Sequence, residues 1–380
     1  NKLPFKRLVF LRDMGLFILG CGLVLNMFFQ TSFSVMADML MSDFSVTAAQ
    51  LASLGSIFFY VYSVMQVPSG VLADVFGPRQ VVSSGLLVAG IGALFFACCH
   101  HMVTAYLGRA LVGLGISLLY ISTLRYVANW WPANQYSTVI GIVTAVGNLG
   151  SILATMPLAR LVDFIGWRGT YFLLAGLALL LAVGCFLLVR NKPQEWCNPL
   201  QTERKYFSYS QRLDIHSFIT SFKSILHIRA LRPMLIIVTG LRGSQMAFIG
   251  AWGVSYLMQV YGLKRTEAAS FMLLTSLGRI VGFPLLGAIA DRIGDARYPY
   301  ILGNLTYLAL WFCFIIFFRI QPPQIFLIIL YFLLGVLGAT SVLSFVLVKQ
   351  YTPLQSTGIA LGLVNGIGIF GTTLFQLAIG

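Results

Sequence analysis

Three arginines, Arg109, Arg242 and Arg279, stand inside stretches that otherwise carry no charge. A guanidinium presents a rigid fork of donors that fits both oxygens of a carboxylate or phosphate. At mid-membrane an ionisable side chain costs about 2.5–3.5 kcal/mol on insertion scales, so each arginine needs a functional or structural reason. No Asp or Glu falls within any apolar stretch; Asp13, Asp38, Asp74, Asp163, Glu267 and Asp291 all lie near the ends. Arg242, beside Gly240, Gly243, Ser244 and Gln245, is the leading candidate to bind an anionic group. Arg279, between Gly278 and Gly282, is balanced between lining the same cavity and lying in a small-xxx-small helix contact. Asn26 and Gln30 are four residues apart, as are Tyr62 and Gln66, so each pair shares a helix face, and Trp252 and Asn365 are further candidates.

The elements that hold these residues are membrane helices. Of 380 residues 58% are hydrophobic and 9% charged, with mean hydropathy +0.87, whereas about a quarter of a soluble domain is charged. Charge-free windows predict eleven spans, near 14–35, 50–72, 80–99, 103–127, 136–159, 170–189, 234–259, 267–289, 298–318, 324–348 and 356–380. They are apolar all round, unlike the alternating strands of a membrane barrel, which makes this an all-α membrane protein. The stretch after the basic residues 1–13 is too long for a signal peptide's core and reads as a retained helix.

With the N-terminus in the cytoplasm, 17 of the 25 Lys and Arg fall on the cytoplasmic side, 5 on the other and 3 in the membrane. That bias sets the orientation and accounts for most of the net charge of +14 without nucleic acid. Eight of those residues lie in 190–232, where Phe218, Phe222, Ile225 and Leu226 recur at helical spacing, the pattern of an interfacial amphipathic helix.

This connection divides the chain into 1–190, a linker 191–232, and 233–380, and the two halves repeat. Gly70-Val-Leu-Ala-Asp74-Val-Phe-Gly77-Pro-Arg79 answers Gly287-Ala-Ile-Ala-Asp291-Arg292-Ile-Gly294-Asp-Ala-Arg297, with the Gly and Asp positions 217 apart. Trp131-Pro132 with Ser137-Thr138 answers Tyr351 and Pro353 with Ser356-Thr357. Such duplication is characteristic of transporters. Two six-helix halves call for a twelfth span beyond Gly380.

These residues resemble the major facilitator superfamily. The resemblance covers nearly the whole chain and implies two pseudo-symmetric six-helix bundles. It further implies gating roles for Asp74, Arg79, Asp291, Arg292 and Arg297, the aspartates accepting from helix amino termini and pairing with cations across the halves. Leu107-Gly-Arg109-Ala-Leu-Val-Gly113-Leu-Gly115 is similar to a second family motif, which implies a structural or coupling role for Arg109. The Gly-Pro pair of drug-exporting antiporters is missing from the fifth span. The run Phe29–Asp38 with Tyr60–Gly70 looks like a bacterial branch near the organic-anion and sugar-phosphate permeases, in which Gln30 stands where members often have Arg.

Other signals carry less. The six cysteines lie mostly in apolar stretches and read as small packing residues. Adjacent Cys98-Cys99-His100-His101 lacks zinc spacing. Gly366-x-Gly368-x-x-Gly371 has no strand before it and reads as a packing surface. No phosphate-binding Gly-Lys-Ser/Thr loop and no nucleophile–base set is visible, so neither ATP-driven transport nor an enzyme is indicated. The expectation is a monomeric secondary transporter of a small anionic or zwitterionic metabolite in a bacterial cytoplasmic membrane. It needs no cofactor, with proton or sodium coupling open. An exporter of amphipathic metabolites, siderophores or drugs and a transporter-like receptor are the alternatives.

Overall fold

The computed structural model describes residues 5–192, 228, 231–248, 253–320, 323–352 and 357–379. Among them there are helices and no strands: α1 Phe5–Val35, α2 Ala37–Phe44, α3 Ala48–Val64, α4 Gln66–Val75, α5 Gly77–Ala97, α6 Met102–Ser117, α7 Leu119–Trp130, α8 Ala133–Leu153 and α9 Met156–Leu188. The remainder are α10 Leu231–Ala247, α11 Gly253–Tyr261, α12 Arg265–Ile293, α13 Arg297–Ile320, α14 Gln324–Gly338, α15 Ser341–Tyr351 and α16 Thr357–Ile379. The expected amphipathic helix in the linker, Cys197 and Trp252 lie outside the described residues.

Eight of the described helical stretches are long and apolar enough to cross a membrane, and nine if the bent pair formed by α2 and α3 is one span. Some of the eleven expected spans differ in detail. The seventh falls on α10 and α11, and the eleventh passes only as the shorter apolar stretch Thr357–Gly371. The second expected span is broken at Met65 into α3 and α4. Residues 160–169, expected as a loop, are helical except at Gly166 (φ 72°, ψ 169°), where α9 is broken into two helices.

The chain forms two compact units. One comprises Asn1–Trp130, Val146–Phe222 and Leu354–Leu363; the other comprises Trp131–Ala145, Lys223–Pro353 and Val364–Gly380. They differ from the sequence halves at two segments, because the start of α8 packs on α12 and the start of α16 packs on α4.

In the first unit α5 lies along both α6 and α9. Gly85 and Gly115 face each other there, and a methyl on either would run into the other's carbonyl oxygen. Close backbone approach at small residues is how helices associate where lipid offers no hydrophobic drive. The outer face of α9 is left to lipid by Phe172, Leu177, Leu180 and Leu187, all exposed. Near the turn of α9, Asp43 accepts from Trp167 Nε1 (2.7 Å) and pairs with Arg168.

In the second unit α12 lies along α14, with Gly278 and Gly282 against the backbone of Phe332 and Val336. The core is aromatic: Phe271, Tyr307, Phe314 and Tyr331 are buried together, with Phe248 edge-on to Trp311 at 5.1 Å.

The repeat's glycines have a backbone reason. Gly77 (φ 80°) opens α5 and Gly294 (φ 76°) closes α12, both in the left-handed region that side chains disfavour. At Gly77 a Cβ would also meet the Asn191 side chain.

Gly85→Leu is expected to destabilise the first unit by about 1–3 kcal/mol through overpacking. Gly176→Leu, at a site with nothing within 4 Å, should leave thermal unfolding of the purified protein unchanged. Equal melting temperatures for the two variants would contradict this packing.

Candidate functional site

The repeated aspartates each capture the beginning of a helix from the other sequence half. In the first unit Asp74, at the end of α4, accepts from the backbone N–H of Gly358 (3.1 Å) and Ile359 (3.2 Å) at the start of α16. Arg125 Nε on α7 lies 3.0 Å from the same carboxylate, and both side chains are buried. In the second unit Asp291, at the end of α12, accepts from Ser137 N (3.1 Å), Thr138 N (2.7 Å) and Thr138 Oγ1 (2.6 Å) on α8. At Asp74 a carboxylate is favoured by the unsatisfied first-turn amides of α16 and the positive end of its dipole, whereas Ser137 and Thr138 stand in the second turn of α8.

The backbone approaches as closely as these bonds demand. A methyl at Gly70 would strike the carbonyl of Gly358, and one at Gly287 that of Ser137. The cation bonded to Asp74, Arg125, comes from the same sequence half. The Arg79 backbone N–H donates to Asn191 Oδ1 (2.8 Å), and its Nε donates to the Phe186 carbonyl (2.7 Å). Arg292 is exposed, and Arg297 pairs with Asp295 (2.6 Å), holding that carboxyl below the usual carboxylate range. Ser137-Thr138 was visible in the sequence as part of a repeat, but nothing there linked it to Asp291. Arg125 had no signal beyond its position.

The polar residues of α1 and α3 divide between packing and the interior of the first unit. Asn26 is fully buried; it donates to the Ile116 carbonyl on α6 (3.3 Å) and accepts from Gln30 Nε2 (2.5 Å). Gln66 donates to the Tyr62 carbonyl (2.9 Å) across the break at Met65. Tyr62 stacks on Phe58 at 5.9 Å. Phe58 in turn lies against Arg109, whose guanidinium carbon is 4.8 Å from its centroid and 4.5 Å from that of Phe33. Arg109 is completely buried, and its Nη1 donates to Tyr171 Oη on α9 (3.4 Å).

In the second unit Arg242 and Asn365 come together: Arg242 Nη1 donates to Asn365 Oδ1 at 2.7 Å. The guanidinium lies 5.5 Å from the Phe345 ring, and its side-chain stem runs against Gly368, where a Cβ would meet it at 2.7 Å. Gly368, set aside as a packing glycine, is thus what makes room for Arg242. Gln245 is buried in the space left by Gly338, and Arg279 lies over the ring of Phe283 at 5.6 Å. Gly278 and Gly282 pack helix on helix as their spacing implied, while Arg279 is half-buried beside them.

A separate crevice of about 590 Å³ between α10 and α13 is lined by Ile237, Leu241, Phe248, Leu305, Leu308 and Trp311, among others. Leu305 and Leu308 are exposed, and this almost wholly apolar space offers no charge to an anion.

Comparison with known proteins identifies the family and the fold. The family model described as Major Facilitator Superfamily matches residues 19–375. The "Probable L-galactonate transporter" of Escherichia coli (strain K12) is 22% identical over 316 residues, covering 82% of this chain and 69% of that protein. The "Cis,cis-muconate transport protein" of Acinetobacter baylyi (strain ATCC 33305 / BD413 / ADP1) is 25% identical over 346 residues, covering 89% and 80%. Among solved structures, the major facilitator superfamily transporter FucP in the outward conformation superposes with TM-score 0.73 at 17% identity, covering 95% of this chain and 90% of that one. The chain belongs to the major facilitator superfamily and is a multi-pass membrane transporter, not an enzyme.

Proposed function

We propose that this protein carries small organic anions, carboxylates of the sugar-acid and organic-acid type, across the cytoplasmic membrane by alternating access. The observation that carries this reading is Arg242 held half-buried by the neutral amide oxygen of Asn365 at 2.7 Å. That bond orients the guanidinium without cancelling its charge, which suits a carboxylate arriving bidentately. Relatives named for L-galactonate and for cis,cis-muconate support the same class. The positive-inside bias supports a cytoplasmic N-terminus, which puts the Asp74 and Asp291 contacts at the cytoplasmic ends of their helices. In a cycle of this kind they hold that side shut and release as the two bundles rock. The bundles correspond to residues 1–190 and 233–380, and the protein works as a monomer coupled to protons or sodium.

Counterflow in proteoliposomes loaded with L-galactonate or cis,cis-muconate tests the reading: labelled anion should exchange, and anion binding without flux would reject a carrier. Arg242→Gln should weaken anion affinity about ten- to a hundredfold, the worth of hydrogen bonds to a charged group, about 1.5–3 kcal/mol. Unchanged affinity would exclude Arg242 from the site.

Asp74→Asn leaves Arg125 buried without its counter-ion and should destabilise the protein by about 3–5 kcal/mol. Asp74→Asn with Arg125→Gln should cost less than the sum of the single changes, because the pair acts as a unit. Strict additivity in thermal unfolding would show that the two do not interact.

A further inference from the structure

We infer that Arg109 is a second anion-binding centre, within the first unit, kept closed by the ring of Phe33. The argument starts from what the guanidinium leaves undone. Arg109 is completely buried, and among the described residues neither Nε nor Nη2 has a hydrogen-bond partner. These two nitrogens share one edge of the guanidinium, the edge that takes both oxygens of a carboxylate side-on, and they carry three of its five N–H groups. Among the described residues no Asp or Glu forms an ion pair with it. Its one hydrogen bond, to Tyr171 Oη, is long at 3.4 Å.

What stands in place of an anion is two aromatic faces, Phe33 at 4.5 Å and Phe58 at 4.8 Å from the guanidinium carbon. Cation–π contact offsets part of the cost of burying the charge, and it leaves that edge without an acceptor. The two rings are not equivalent. Phe58 is fully enclosed, stacked on Tyr62 and edge-on to Phe59 at 5.1 Å. Phe33 is half-buried, two residues from the end of α1, and rests on Gly55, which presents no side chain to hold it.

Phe33 is therefore the wall that can move. Turning it away removes one face of the box and opens the guanidinium to a carboxylate, with Gln30 one turn earlier on α1 and Tyr171 Oη as neighbouring polar groups. Ring and anion then compete for the same cation. This deepens the anion-transport reading and rests on it for the class of ligand; the site itself is separate from Arg242.

The test measures binding of D-gluconate and cis,cis-muconate to the full chain in lipid nanodiscs by titration calorimetry, in an Arg242→Gln background that isolates Arg109. Phe33→Ala should tighten binding on the order of tenfold, because the competing ring is gone, and adding Arg109→Gln should abolish it. Phe33→Tyr keeps a ring and should behave like the parent, which provides a comparison even if Arg109→Gln does not fold. A purely structural Arg109 predicts the opposite for Phe33→Ala: lower thermal stability and no gain in affinity, an outcome that overturns the inference. Binding that depends on Arg242 and is indifferent to Arg109 and Phe33 overturns it and leaves the transport reading standing. Absence of binding in every variant and in the unmodified protein overturns both.

Discussion

A carboxylate that satisfies the first amides of a distant helix is the interaction on which this structure most depends. Helix starts leave several N–H groups without partners, and where they are buried between helices a side-chain acceptor has to satisfy them. Asp74 accepts two such groups from the first turn of α16, and Asp291 accepts two amides from the second turn of α8, each helix more than a hundred positions away along the chain. Close approach there requires Gly70 against Gly358 and Gly287 against Ser137. The motif is therefore a set of mutually dependent parts: an acceptor, glycines that let the backbones touch, and a left-handed glycine that turns the chain immediately afterwards.

Much of this was legible in the sequence because it rests on residue type at fixed spacing. The apolar windows located the helices, and the duplicated Gly-Asp-Gly pattern marked Gly77 and Gly294 before their positive φ was known. The pairing of Arg242 with Asn365 was foreshadowed only as two separate candidates, since nothing in a single chain aligns positions 123 residues apart. Arg125 was read as part of a cytoplasmic charge bias, although it is buried and bound to Asp74. Long-range partners of a charge depend on how helices cross, and hydropathy is silent about crossing. For the same reason the break at Met65 was missed: it sits where local apolarity continues across a change of direction.

The three intramembrane arginines have become chemically distinct. Arg242 meets an amide, Arg279 lies over an aromatic ring beside a tight helix crossing, and Arg109 is boxed between two rings and a phenol. Counting charges in a hydrophobic window treats them alike, whereas the acceptor within reach decides what each can bind.

The two copies of the aspartate motif also no longer use the same chemistry. Asp74 combines amides with a buried guanidinium, while Asp291 combines amides with the Thr138 hydroxyl. Both are hydrogen-bonded carboxylates, but only that of Asp74 also faces a cation, so the duplication has yielded one clasp with an ion pair and one without. Mutational drift then falls on them unequally: a hydroxyl can be replaced by serine with its bond retained, but nothing other than another cation can stand in for Arg125. The older symmetry survives in the backbone, and the divergence is written in the side chains.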